Sequence, residues 1–255
     1  RQMCIRDRVH FKGQNLADLS EVELRSLRKE MQMIFQDPSS SINPRRKIGE
    51  VLSEPFAIHG VKENISEFII ELLNQVGLSP NHANRYPHEM SGGQLQRVGI
   101  ARAIALNPSL VVADEPVSAL DVSVQAQVVN LMIDLKEKLR ISYLFISHDM
   151  GVVEYFCDRV AVMYLGKIVE IASSEEIYKR PCHPYTEALL NAVPGLELGK
   201  IKQKLKVLGD TPDPSTLSQG CSFHTRCPIK EKQCEEMEPT LKEVTSGHYV
   251  ACFLK

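Results

Sequence analysis

An acidic pair and a histidine close two strand-like runs of this sequence. Asp114-Glu115 follows Leu110–Ala113, and Ser147-His148 follows Ser142–Ile146. A short apolar run bounded in this way reads as a strand buried on both faces of a parallel sheet. Ligands of open parallel sheets sit beyond the carboxyl ends of the strands, so the two acids and the imidazole should converge on one crevice. The first acid suits Mg²⁺, usually through water, because a hard cation takes carboxylate oxygen. The second suits orienting or deprotonating an attacking water, and the histidine opposite can hydrogen-bond a terminal phosphate. By itself, an Asp-Glu pair can equally do no more than end a strand. Ser91-Gly92-Gly93-Gln94, ahead of a helical stretch, adds backbone N–H groups unobstructed by Cβ atoms and a positive helix end, both suited to an anion. Alone, it reads as an ordinary N-cap.

The elements that must position these groups are legible from periodicity. Residues 94–106 form a helix stopped by Asn107-Pro108. Residues 123–139 carry Val124, Val128, Leu131, Met132, Leu135 and Leu139 at helical spacing. They link the two strands as a strand–helix–strand unit, which predicts parallel pairing and a right-handed crossover. Upstream, Ser20 with Glu23 has capping-box spacing for a helix over 20–30. MQMIF (31–35) is a short apolar run, and SSSINPRR (39–46) reads as a loop. Helical patterns follow at 48–58 and 66–76. Val160–Leu165 and Ile168–Ile171 predict a hairpin turning at Gly166-Lys167. Beyond about residue 195 the periodicity weakens into a Pro-, Cys- and Lys-rich tail.

Composition bounds the function. The 255 residues carry 30 Lys+Arg against 32 Asp+Glu, a net charge of −2, which argues against a protein built chiefly to neutralise nucleic-acid phosphates. With 43% hydrophobic residues a packed core is expected, as one large domain or one domain with an appendage. The longest apolar run, Val160–Leu165, falls far short of the about 20 residues of a membrane helix. The first residues, RQMCIRDR, do not read as a secretory signal, so a membrane role is expected to be peripheral. Cys221, Cys227, Cys234 and Cys252 sit in the loop-rich tail and suit a tetrahedral thiolate site, [4Fe–4S] or Zn²⁺, before disulfides. His224 and His248 are expected at the surface, and Cys157 and Cys182 as packing residues.

Taken in order, MSGGQLQRVGIARAIALNPSLVVADEPVSALD (90–121) and FISHD (145–149) resemble the nucleotide-binding subunits of ABC transporters. Ser91, Gly92, Gly93 and Gln94 match that family's signature motif. Leu110–Asp114 matches Walker B, with Glu115 in the catalytic-base position. Ser118–Asp121 matches the D-loop, His148 the switch histidine and Gln36 the Q-loop glutamine. FQDPSSSINPR (35–45), NRYPHEMSGGQ (84–94), YLGKIVEI (164–171) and HPYTEALLNAVP (183–194) narrow the resemblance to oligopeptide/dipeptide importer ATPases of the F-type. The resemblance implies an α/β, P-loop NTPase-like ABC ATPase domain over 9–195, with an inserted helical subdomain at about 45–105. A small Cys-rich C-terminal module follows over 196–255.

It also implies ATP and Mg²⁺ as cofactors and a dimer that sandwiches ATP between the Walker A of one chain and the signature of the other. The partners implied are a D-type ATPase subunit, two membrane permease subunits and, indirectly, a solute-binding protein, at the cytoplasmic face of a bacterial or archaeal membrane. Asp114 would support Mg²⁺, Glu115 would polarise water, and His148 would contact the γ-phosphate. Gln36 would sense Mg²⁺ or water, and Asp121 would communicate across the dimer. The four tail cysteines match a set that holds an iron–sulfur cluster in some members. One departure stands out: the 255 residues contain no G-x-x-x-x-G-K-[ST]. That loop is expected upstream of Val9, with residues 1–8 as a foreign junction and the ATPase domain N-terminally truncated. A hydrophobic slot is expected where its strand and helix would pack. Two other readings are a non-catalytic fragment that supplies a signature half-site and a soluble ABC ATPase acting on nucleic acid.

Overall fold

In the computed structural model, residues 8–61, 64–193, 208–209 and 220–255 are described, and the chain divides into two compact units, Arg1–His148 and Asp149–Lys255. The expected junction at 1–8 lies, but for Arg8, outside the described residues, as does the expected domain boundary at 195/196.

The first unit opens with a short antiparallel ribbon, β1 (His10–Phe11) and β2 (Gln14–Asn15), and then α1 (Glu21–Leu27). Ser20 and Glu23 form the expected capping box. The Ser20 hydroxyl accepts from the Glu23 N–H, and the Glu23 carboxylate accepts from the Ser20 N–H at 2.9 Å. β3 (Met31–Ile34) leads to Gln36. The expected loop after it instead begins as one helical turn, α2 (Pro38–Ser41). Local chemistry explains the difference: the Asp37 carboxylate accepts from the Ser39 N–H at 2.9 Å, and Pro38 is pre-set for a first helical position. α3 (Ile48–Ile58) and α4 (Ile65–Gln75) follow the two helical patterns. Then come α5 (Gly92–Ile104), β4 (Leu110–Asp114), α6 (Val122–Leu139) and β5 (Ser142–Ile146).

β3, β4 and β5 form a parallel sheet in that order, with Met33 in register with Val112 and Val112 with Leu144. Side chains alternate between its faces. Ile34, Val111 and Ala113 are buried on one face, and α5 packs along β3. The other face carries Met33, Leu144 and Ile146, which are 37%, 56% and 46% exposed. Parallel sheets are ordinarily covered on both faces. Among the described residues this second face is apolar and open. Among the described residues no helix is long and apolar enough to cross a membrane.

The second unit contains α7 (Met150–Phe156), β6 (Arg159–Tyr164), β7 (Lys167–Ser173), α8 (Ser174–Lys179) and α9 (Pro184–Asn191), then α10 (Lys232–Glu236), β8 (Lys242–Thr245) and β9 (His248–Val250). The expected β6–β7 hairpin is present, but its turn is Leu165-Gly166, one residue earlier than predicted, with both residues at positive φ. That is the backbone hand a two-residue hairpin favours. The antiparallel sheet runs β6-β7-β9-β8, so the C-terminal strands complete a sheet begun at residue 159. Tyr164, Ile177, Leu190 and Phe223 lie in its core, with the Tyr164 and Phe223 rings edge-on at 5.2 Å.

A buried carboxylate ties this unit together. Glu170 on β7 is fully buried and accepts from the backbone N–H of Cys182 (2.7 Å) and of His183 (2.9 Å). Its Oε1 also lies 2.7 Å from Nε2 of His248 on β9. His248, expected at the surface, is thus 2% exposed, drawn in by its contact with the buried Glu170 carboxylate. The ligand-type atoms of Glu170, Cys182 and His248 lie within 4.8 Å of one another. Both carboxylate oxygens already accept protein hydrogen bonds, so the group reads as a structural lock. His183 is buried as well; burial pushes its pKa down to about 4, and its Nδ1 accepts the Tyr185 N–H at the start of α9. Glu170→Ala removes the acceptor of two backbone N–H groups and the partner of the buried His248 ring, and should lower stability by about 3–5 kcal/mol. Urea unfolding followed by a probe in residues 149–255 measures this; a loss below about 1 kcal/mol would show that the lock is dispensable.

Candidate functional site

The three parallel strands end side by side, and each is followed by one of the predicted site residues. Gln36 follows β3, Glu115 follows β4 and His148 follows β5. Their side chains meet. Gln36 Nε2 donates to Glu115 Oε2 at 2.8 Å, and His148 Nδ1 lies 3.1 Å from Glu115 Oε1. With its proton on Nδ1, His148 donates to that oxygen. One carboxylate thus bridges the ends of all three strands.

The backbone that aims Glu115 is unusual. Its N–H donates to the Ile146 carbonyl at 2.9 Å, extending the β4–β5 ladder by one residue. Its φ is +43°, a left-handed conformation that costs a non-glycine residue about 1–3 kcal/mol. The Glu115 carbonyl then accepts from both the N–H (3.3 Å) and the hydroxyl (3.1 Å) of Ser118, which closes the following turn. Strain of this kind persists when surrounding contacts over-determine it. The Glu115 side chain is 24% exposed and the His148 side chain 73%, so the carboxylate is sheltered and the imidazole is free to turn.

The other predicted residues fall in two places. Asp114 ends β4, half-buried and in register with Ile146. Ser91, Gly92, Gly93 and Gln94 start α5, with Ser91 and Gln94 in a reciprocal capping box of 3.3 and 3.0 Å. A Cβ at Gly93 would come within 2.5 Å of Val124 Cγ1, so glycine lets α5 approach α6. Asp121 is the exposed N-cap of α6; its carbonyl accepts the Gln125 N–H at 2.8 Å, and its side chain makes no cap bond. The structure therefore joins Gln36, Glu115 and His148, and sets the Ser91–Gln94 helix start against the beginning of α6 instead.

Cys221, Cys227, Cys234 and Cys252 converge in the second unit. They are free thiols lining one small cavity with Phe223 and Pro239. The Cys221 N–H donates to the Cys234 carbonyl at 2.8 Å, and a Cβ on Gly220 would come within 2.4 Å of that oxygen, so only glycine permits the approach. Burial pushes the thiol pKa values of Cys221, Cys227 and Cys252 up, and the neighbouring thiols push them further. Sequence reasoning missed two features of these sites, the buried Glu170–His248 lock and Arg102 on α5. Charged residues at buried positions of their elements were the available signal.

Comparison with known proteins places this geometry. Residues 1–118 match the family model described as ABC transporter, and residues 169–234 match the oligopeptide/dipeptide transporter C-terminal region. The oligopeptide transport ATP-binding protein AppF of Bacillus subtilis is 52% identical over 251 residues, which cover 96% of this chain and 76% of AppF. The chain belongs to the ATP-binding subunits of oligopeptide/dipeptide ABC transporters. A protein of Brucella ovis named for peptide import is also 52% identical, over 96% of this chain and 78% of its own length. Among solved structures, the ATP-binding cassette MJ0796, dimeric and bound to ADP and phosphate, aligns with a TM-score of 0.57 at 26% identity. It covers 66% of this chain and 73% of its own. CbiO1 of Clostridium perfringens, part of the cbiONQ ABC transporter complex, aligns at 0.59 and 24% identity over 67% of each chain, a likeness of fold. The ABC transporter match includes Gln36, Ser91–Gln94, Asp114 and Glu115 of this ATP-binding subunit.

Proposed function

We propose that this subunit hydrolyses ATP to energise the import of di- and oligopeptides, with Glu115 as the group that polarises the attacking water. The observation that carries the reading is the sheltered Glu115 carboxylate, held by Gln36 and His148 at the ends of three parallel strands. A base must be within reach of the proton it abstracts, directly or through one water. A carboxylate placed from two sides meets that need. His148 is exposed enough to turn from Glu115 toward a γ-phosphate, and Gln36 can pass its amide from Glu115 to the attacking water. Asp114, a half-buried carboxylate at a strand end, fits the hard oxygen donor that Mg²⁺ requires. Bound there, the ion would neutralise charge on the β- and γ-phosphates. Catalysis of this type rests on positioning and charge stabilisation.

The signature residues Ser91–Gln94 serve, in this reading, the nucleotide held by a second ATPase subunit of the D-type, and Asp121 faces the same seam. Their packing against the beginning of α6, next to Asp121, supports that division of labour. Two permease subunits anchor the pair at the cytoplasmic face of the membrane, and a solute-binding protein delivers the peptide. The 255 residues hold no G-x-x-x-x-G-K-[ST]. We read the open face at Met33, Leu144 and Ile146 as the seat of a phosphate-binding loop and helix that these residues do not supply. In the second unit, we read the four thiols that line one cavity as the ligands of a [4Fe–4S] cluster, with Zn²⁺ as the alternative. Bound there, the cluster would clamp the C-terminal loops.

Glu115→Gln in the assembled transporter should leave ATP binding within about twofold and lower hydrolysis by about 100-fold or more, with peptide uptake lost in parallel. Hydrolysis within about tenfold of the parent would reject Glu115 as the base. Anaerobically purified protein should show broad visible absorbance and about four irons per chain. Colourless protein without stoichiometric iron rejects the cluster, and stoichiometric zinc would replace it.

A further inference from the structure

Helix α5 begins with the Ser91–Gln94 motif and carries Arg102 near its other end, about 15 Å away at the helical rise. Arg102 is half-buried. Its guanidinium reaches the segment that follows β3, donating through Nη1 to the Ser41 carbonyl at 2.7 Å and through Nη2 to the Ser41 hydroxyl at 3.0 Å. The same group sits 5.9 Å from the centre of the Phe35 ring. Burial lowers the guanidinium's pKa, and Glu54 opposes that shift. Gln36 lies between the two residues that Arg102 touches. On its C-terminal side the segment is stiffened by the Asp37–Ser39 cap and by the Ser41 hydroxyl donating to the Pro38 carbonyl at 3.1 Å. Arg102 therefore brackets a short, internally braced stretch that reaches Glu115 through the Gln36–Glu115 hydrogen bond of 2.8 Å.

We propose that Arg102 is a positioning residue for ATP hydrolysis, tying the signature helix to the Phe35–Ser41 segment so that Gln36 is held against Glu115. The inference rests on the roles proposed for Glu115 and Gln36 and adds a mechanical link to them. A guanidinium suits the task because its planar fork makes two parallel bonds while its face stacks on an aromatic ring. An ammonium cannot do both. Displacement of the α5 start by a nucleotide would be carried along a rigid helix to Ser41 and from there to Gln36.

The test is a double-mutant cycle on ATP turnover in the assembled transporter, using Arg102→Met, Gln36→Ala and the double variant, with Glu115→Gln as reference. Arg102→Met should lower kcat about tenfold with KM for ATP within about twofold. The double variant should be no slower than the slower single variant, because both changes break the same link. Arg102→Lys should recover only part of the rate. Should Arg102→Met not yield folded protein, Arg102→Lys and Ser41→Ala combined with Gln36→Ala give the same cycle, with non-additivity again expected. Multiplicative losses, or a rise in KM with kcat unchanged, would overturn the proposal. If Glu115→Gln itself turns over normally, it is the assignment of Glu115 that fails. If Glu115→Gln is inactive and the cycle is additive, the Arg102 link alone fails.

Discussion

One carboxylate held from both sides is the constraint on which the site depends. Glu115 accepts from the residue after β3 and faces the histidine after β5. Neither contact could form unless β3, β4 and β5 were parallel and adjacent in that order. A slip of one residue in either ladder would turn the following side chain to the opposite face. The sheet register and the chemistry are therefore one specification. The positive φ at Glu115 belongs to it: the chain leaves the strand sharply while the side chain stays beside its neighbours. Backbone hydrogen bonds to Ile146 and Ser118 hold that conformation.

The helix that follows the glycine pair serves more than one purpose. Its start, capped by Ser91 and Gln94, packs on α6 through Gly93, and its far end grips the segment that bears Gln36. One helix thus touches both the start of α6 and the segment that follows β3. The second unit is organised on a different principle. There a buried acid, Glu170, gathers a loop, a helix start and a C-terminal strand, and the four cysteines collect around a cavity beside the Phe223 core.

Much of this was legible in the sequence because it is written locally. The capping box at Ser20, the N-cap at Ser91, the strand–helix–strand unit over 110–146 and the polar residues at strand ends are short-range patterns with a mechanical meaning. Glu115 and His148 were legible at strand ends, and parallel pairing implied that they converge; Gln36 was legible through the family resemblance alone, and the fold supplied its contact with Glu115. What escaped depends on contacts far apart in the chain. His248 looked like a surface residue because Glu170, which buries it, lies 78 residues away. Arg102 was unremarkable until the fold brought Ser41, 61 residues away, beneath its guanidinium. The α2 turn hides in a Ser-rich stretch that composition marks as loop, and the hairpin turn fell one residue early because Leu165 takes a left-handed conformation.

The most direct measurement is a structure of the assembled transporter with Mg²⁺, ADP and vanadate, which mimics the phosphoryl group in flight. The account predicts that the Glu115 carboxylate lies within one water of the vanadium, with Gln36 and His148 in contact with the same group and a phosphate-binding helix seated over Met33, Leu144 and Ile146. A nucleotide bound away from the ends of β3, β4 and β5, or a Glu115 side chain turned away from the vanadate, would contradict it.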